Sequence, residues 1–369
     1  MRKLAIIGAS YLQLPLVKKA KEMGLHTICF AWLEGAICKD VADEFFPISI
    51  VEKEKILEVC REKQIDGICT IASDAAAPTV AYVADNMELV GNSYEVAVRA
   101  NNKFLMRNMF SKAGVPCPKY QIANFSDEMK TDFSFPVIVK PTDRSGSFGV
   151  VKVERQEDLA VAIRNARNCS FKQEAIVEEF IEGKEISVEF ISYQGKHYPL
   201  QITDKVTTGS PHFVELEHHQ PADLSKEQYK QIYFLTKRAL DALGITNGAS
   251  HSEYKITEYG RIYIMEIGAR MGGDFIGSDL VQLSTGYDYL RGVIEVALGK
   301  FRQPVFGESH HAGVFFVCEE THRLLPVIKS LKCPKVVRAE MTNDDLRCVT
   351  SSADRSGYFI YKGKEKLIL

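Results

Sequence analysis

The chain has nine cysteines but no CxxC pair. Scattered and odd in number, they support neither a disulfide framework nor a zinc knuckle, and a reducing cytoplasm is the expected location. There is no excess of either charge. The formal net charge is −2, and a nucleic-acid partner would want a basic stripe. No apolar run approaches the roughly 20 residues of a membrane span, so no membrane partner is expected. The opening MRKLAIIGAS has two basic residues, but its apolar run is short and turns at Gly8, which argues against a signal peptide. The GxGxxG fingerprint is missing too: the first strand-to-helix turn, GASYLQ, has a single glycine, so a nicotinamide cofactor is not expected. The chain contains no internal repeat and no low-complexity segment.

What remains is 369 residues, 46% apolar and 25% charged, the composition of a globular protein with two or three domains or lobes. Residues 1–97 alternate strand and helix: KLAIIGA, then LPLVKKAKEMG, HTICFAW, VEKEKILEVCREKQ, IDGICTIA and AAAPTVAYVADNM. That alternation predicts a parallel, doubly wound lobe. From 98 to 300 the runs pass hairpin to hairpin and predict an antiparallel sheet, with a small lid over about 110–180. Residues 301–369 carry further strand-like runs (AGVFFVC, KVVRAEM, YFIYKG) and read as a closing subdomain. The fold class expected is therefore mixed α/β and α+β.

Three segments carry chemistry. In VIVKPTDRSGSFGV, Lys140 ends a β-branched run, and Ser145, Gly146, Ser147 and Gly149 follow. Glycines permit close backbone approach, N–H groups in such a turn form an anion nest, and a lysine adds the charge a phosphate needs. The loop lacks GxxxxGK(S/T), so it is not a Walker A motif. A plain hairpin loop with a snorkelling lysine is the competing reading. In AIVEEFIEGKEISVEF, a strand edge beside Glu178 and a turn at Gly183 before Glu185 supply hinge backbone for a purine and an acceptor for ribose hydroxyls; a solvated acidic hairpin competes. In ASHSEYKITEYGRIYIMEIGARMGGD, two period-two arms flank a hairpin with Tyr259-Gly260 as its turn. That register sets Glu253 directly opposite Glu266. Like charges so placed repel, and hard oxygen ligands of this kind suit Mg²⁺ on a nucleotide. Two exposed glutamates relieved by solvent or Arg261 are the alternative.

Taken in this order, the segments resemble the ATP-grasp superfamily over most of the chain, and within it the carboxylate–amine ligases of the amino-acid ligase branch. The resemblance implies ATP with Mg²⁺, or Mn²⁺ in its place, and small-molecule carboxylate and amine substrates joined through an acyl phosphate. A homodimer is also expected from the family. Lys103 and Lys140 would contact ATP phosphates or adenine, and the SGSFG loop would close over the phosphates. Glu178 would face adenine, Ile181 would lend hinge backbone, and Glu185 would hold ribose. Glu253 and Glu266 would bind metal, and Arg270 would neutralise the transferring phosphate. FVELEHHQP resembles the segment that presents an acid and a histidine to substrate, here Glu215 and His218, although a surface loop would read the same way. Asp274 lies where acceptor specificity is shaped, and Lys205 and Arg291 are candidate carboxylate partners. One departure stands out: where the family reads E-x-N-x-R, this chain has Gly268. Two rivals follow. One is a bicarbonate-phosphorylating enzyme of the carbamoyl-phosphate or purine-pathway type; the other is a nucleotide-binding regulator without catalysis.

Overall fold

The computed structural model describes residues 1–123, 131, 133–330 and 335–369. The first sheet is parallel, as expected. It contains β1 (Lys3–Ile7), β2 (His26–Phe30), β3 (Glu44–Phe46) and β4 (Gly67–Cys69), in the order β3-β2-β1-β4. Helix α1 (Leu14–Glu22) covers one face, and α2 (Lys53–Lys63) and α3 (Ala77–Asn86) cover the other. Burial on both faces explains why these strands read as short continuous apolar runs. β3 was missed because three half-buried edge residues carry no periodic signal.

α4 (Tyr94–Ala100) and α5 (Lys103–Lys112) lead out of this lobe. Ser93 and Asn102 cap them by accepting from the N–H groups of Val96 and Leu105. The second sheet comprises β5 (Tyr120–Ile122), β6 (Val137–Pro141), β7 (Val151–Val153) and β8 (Ala175–Glu179), antiparallel in the order β5-β8-β6-β7. Its core, formed by Val137, Val139 and Val177, packs against Leu159 and Ile163 of α6 (Gln156–Cys169).

Among the described residues the third sheet has eight strands: β9 (Lys184–Tyr193), β10 (Lys196–Thr207), β11 (Glu215–Gln220), β12 (Gly248–Ile256), β13 (Ile262–Gly268), β14 (His311–Val317), β15 (Val336–Met341) and β16 (Gly357–Gly363). The order is β13-β12-β9-β10-β11-β14-β16-β15, antiparallel throughout. The strands expected in a closing subdomain thus extend the central sheet. FVELEHHQP is no surface loop: it supplies β11, paired on both sides, with His218 and His219 buried. α5 and α7 (Lys226–Leu243) share one apolar cluster with β9, β12 and β13. α7 starts at a Ser225–Gln228 capping box and stops at left-handed Gly244. After the short α8 (Val281–Thr285), Tyr289, Leu290 and Val293 of α9 (Tyr289–Ala297) join Leu4 and Ile6 of β1 to Ile191 of β9 in another cluster. The first lobe is thereby fixed against the central sheet.

Candidate active site

A cavity of about 210 Å³ lies between the second sheet and the central sheet. Lys103, Lys140, Ser145, Gly146 and Ser147 line one end. Lys103 is the first residue of α5; its N–H donates to Thr142 O at 2.8 Å, which ties the helix to the strand carrying Lys140. Gly146 and Ser147 both have positive φ, +65° and 56°, and both line the cavity. Gly149 does not join them. A Cβ there would sit 3.0 Å from both Pro141 Cγ and Cys169 Cβ, so it lets the loop pack on its own sheet.

Glu178 is also placed differently from expectation. It does not line the cavity: its carboxylate is buried one layer behind, between Arg107 and Lys140. Lys140 Nζ stands 2.7 Å from Oε2, and Arg107 Nε stands 2.8 Å from Oε1. Neighbouring residues of a strand face opposite sides, and it is the following residues, Glu179, Phe180 and Ile181, that line the cavity. Burial opposes the charge on Glu178, but the two cations more than offset it and hold its carboxyl below the usual range. Burial dominates at Lys140, with Arg107 acting in the same direction, and its ammonium titrates below an ordinary lysine despite Glu178. Glu185 lines the same end as the hinge, 3.1 Å from Lys255.

The expected pairing of Glu253 with Glu266 is present, by a different route. Ile256 pairs with Ile262, and Thr257 N–H donates to Arg261 O, so the turn has three residues, Glu258, Tyr259 and Gly260. That alone would set Glu253 opposite Met265. A bulge between Tyr254–Ile264 and Glu253–Glu266 leaves Met265 unpaired and restores the pairing. The Met265 carbonyl instead accepts from Arg107 Nη2 at 2.6 Å. The repulsion is relieved by lysines. Lys205 Nζ is 2.6 Å from Glu253 Oε1, and Lys103 Nζ is 3.0 Å from Glu266 Oε1. Enclosure opposes the charge on Glu253, yet Lys205 and His251 keep its carboxyl well below the usual range. His251 is itself gripped at Nδ1 by the buried Glu189, 2.5 Å away.

A second bulge, where Val206 and Thr207 face Glu217 and Glu215, lets Glu215 and His218 share one face. Three residues apart on a regular strand they would point to opposite sides. Glu215 lines the cavity 3.5 Å from Lys205, also a lining residue. His218 lies deeper, with Nε2 3.9 Å from Asp274 Oδ2. Asp274 does not reach the cavity either: both its oxygens accept from Arg355, each at 2.9 Å. Arg291 is removed from the site altogether, half exposed on α9 beside Glu295.

Arg270 lines the cavity, and its Nε and Nη2 donate to the two oxygens of Asp74 at 2.8 and 2.7 Å. Burial opposes the charge on both; the pair overrides it, raising the pKa of Arg270 and lowering that of Asp74. Among the described residues, no group of three His, Cys, Asp or Glu side chains stands together as a metal cage. Glu253 and Glu266, paired across the hairpin and each beside a lysine, are the carboxylates that could hold a divalent ion.

Asp74, Arg107 and Arg355 were missed by sequence reasoning. Arg107 had a signal: it sits at i+4 from Lys103 on the face of α5 that also buries Met106 and Phe110. Asp74 lies in the loop beyond a parallel strand's carboxyl end, where ligands of α/β sheets collect. Arg355, in SSADRSGYF, had none.

The fold and this cleft define a class. Residues 133–279 match the family model described as an ATP-grasp domain, and the chain has the ATP-grasp fold. Among curated proteins, an uncharacterized protein of Sinorhizobium fredii, y4rH, is 28% identical over 321 residues, which is 81% of this chain and 64% of that protein. The alanine–anticapsin ligase of Bacillus subtilis is 29% identical over 245 residues, 60% of this chain and 51% of the relative. The chain therefore spans about half to just under two thirds of the relatives it matches. Among solved structures, an L-amino acid ligase from Bacillus licheniformis superposes with a TM-score of 0.81 at 23% identity, covering 99% of this chain and 94% of its own. A phosphoribosylglycinamide synthetase from Anaerococcus prevotii gives 0.79 at 23% identity with the same coverage. At that identity these superpositions speak to the fold. No helix among the described residues is long and apolar enough to cross a membrane.

Proposed function

We propose that the protein is an ATP-dependent carboxylate–amine ligase that forms an amide through an acyl phosphate and releases ADP and phosphate. The observation that carries this reading is one cleft holding a glycine loop with two lysines, a hinge, and paired carboxylates beside an arginine clamped by Asp74. Similarity to the alanine–anticapsin ligase supports an amino acid as one substrate.

In this reading the backbone of Glu179–Ile181 holds adenine and Glu185 the ribose. Lys103, Lys140 and the nest at Ser145–Ser147 hold the phosphates. A substrate carboxylate oxygen attacks the γ-phosphorus, the bond to ADP breaks, and an acyl phosphate forms. Arg270 stabilises charge on the transferring phosphoryl group, where positioning and electrostatics do most of the catalysis. Glu253 and Glu266 would hold a divalent ion, which would supply positive charge to the phosphate oxygens when bound. An amine then attacks the acyl carbon, phosphate leaves, and the amine loses a proton. Glu215 and Lys205 offer a substrate one anion and one cation.

The test is ADP release over amino acids and small carboxylic acids, singly and in pairs. Release that requires a pair is expected. Release with bicarbonate and no organic acid would move the assignment to a bicarbonate-phosphorylating enzyme. ATP binding without release across the whole panel would make the protein a regulator.

A pH dependence follows from Lys140. Its protonated form binds phosphate, and its proton leaves more easily than that of an ordinary lysine. The affinity for ADP is therefore expected to fall as pH rises, starting below the ordinary lysine value of about 10.4. An ADP titration series at rising pH checks this; constant affinity up to that value would remove Lys140 from the phosphate site.

A further inference from the structure

Gly268 is the last residue of β13, two beyond Glu266. The space where its side chain would be is not open. A Cβ built there would lie 2.6 Å from Asp74 Oδ1 and 3.2 Å from Arg270 Nε. The carboxylate filling that space comes from another lobe, 194 residues earlier in the chain. It meets Arg270 through both oxygens, the planar fork-to-fork geometry that fixes a guanidinium in orientation as well as position.

The loop carrying Asp74 is tied down on the far side of Arg270. Ile71 bridges Met271 in parallel, and Ala72 N–H donates to Met271 O at 3.1 Å. Arg270 is therefore held by its side chain through Asp74, and the residue after it by its backbone. Gly272 is pinned as well, its N–H donating to buried Glu189 at 3.0 Å. Among the described residues none of β13 holds the guanidinium, whose other contact is Nη1 donating to the Met271 carbonyl at 3.3 Å.

We infer that Asp74 is the positioning residue for Arg270, and that it takes the place of the side chain Gly268 lacks. Asp74 and a side chain at 268 are mutually exclusive, so the glycine is required by the aspartate and is not a lost ligand position. The role of Arg270 in turnover rests on the ligase reading; the mutual exclusion rests on geometry alone.

Four proteins test this: wild type, Asp74→Ala, Gly268→Asn, and the double variant Gly268→Asn/Asp74→Gly. For each, kcat and KM for ADP release, ADP affinity by calorimetry and Tm are measured. Asp74→Ala is expected to lower kcat about a hundredfold, the cost of a misplaced catalytic group, with KM for ATP and ADP affinity changed less than about threefold. A merely structural loss would move Tm and affinity with kcat. Gly268→Asn is expected to lower both Tm and kcat, and the double variant to exceed it in both, with kcat recovered about tenfold. If Asp74→Ala does not fold, Asp74→Asn, which keeps the volume and one acceptor, replaces it.

Unchanged kcat in the Asp74 variant, or a double variant no better than Gly268→Asn, overturns the inference. Should wild type release no ADP with any substrate, the ligase reading fails, and the order of the four Tm values still decides whether Asp74 and a 268 side chain exclude each other.

Discussion

Arg270→Ala is expected to reduce ADP release at least about a thousandfold, while ADP affinity changes by less than about tenfold. The asymmetry follows from where the guanidinium sits. It lines the same cleft as Glu253, Glu266 and Gly268, whereas in the proposed reading the nucleotide would be held by the hinge at Glu179–Ile181, on another element. In the transition state charge is redistributed over the transferring phosphoryl group and the leaving oxygen, so a cation placed at that end acts more on the transition state than on bound ADP, which lacks the transferred group. Glu266→Gln is expected to show the same pattern, losing turnover more than nucleotide binding. Steady-state ADP release and calorimetry check both; turnover within threefold of wild type in either variant removes that residue from the chemistry.

The second large effect is on stability. Arg107→Met is expected to lower the unfolding free energy by about 3–5 kcal/mol, the usual cost of breaking a buried ion pair from one side. Arg107 is fully buried; its Nη2 donates to Met265 O, and its Nε stands beside the buried Glu178. Removing the guanidinium leaves Glu178 with Lys140 alone and the bulged Met265 carbonyl without its donor. Urea unfolding at constant pH measures the change. An unfolding midpoint within error of wild type would show that Arg107 does not hold this layer.

Much of the fold was legible because most of its strands and helices obey simple periods. The short apolar runs of β1, β2 and β4 marked a parallel sheet, and the arms of the β12–β13 hairpin showed their alternation. Ser145–Ser147, Lys140 and Glu185 stand at the cleft, as local chain chemistry suggested, and so do Lys103, Ile181 and Arg270, which only the family resemblance implied. What was illegible depended on partners far away in sequence. Nothing near Glu178 indicates that Arg107, 71 residues earlier, would draw its carboxylate behind the cavity wall. Nothing near Asp274 indicates that Arg355 would occupy both its oxygens. A surface loop competed with the substrate-facing reading of FVELEHHQP because β11 is buried by neighbours it meets only in the folded sheet.

The hairpin that carries the two glutamates has a parity problem. Side chains alternate along a strand, so a turn with an odd number of residues decides which members of the return strand share a face with the outgoing one. The three-residue turn at Glu258–Gly260 gives the wrong answer for Glu266: continued without correction, it would match Glu253 with Met265 and send Glu266 through to the other side. The unpaired Met265 works as a check digit that changes odd to even, and Arg107 keeps it in place by holding its carbonyl. A residue added at or removed from the tip need not disturb the glutamates, whereas one added or removed within a paired arm, between Glu253 and Ile256 or between Ile262 and Glu266, would turn one carboxylate away from the other.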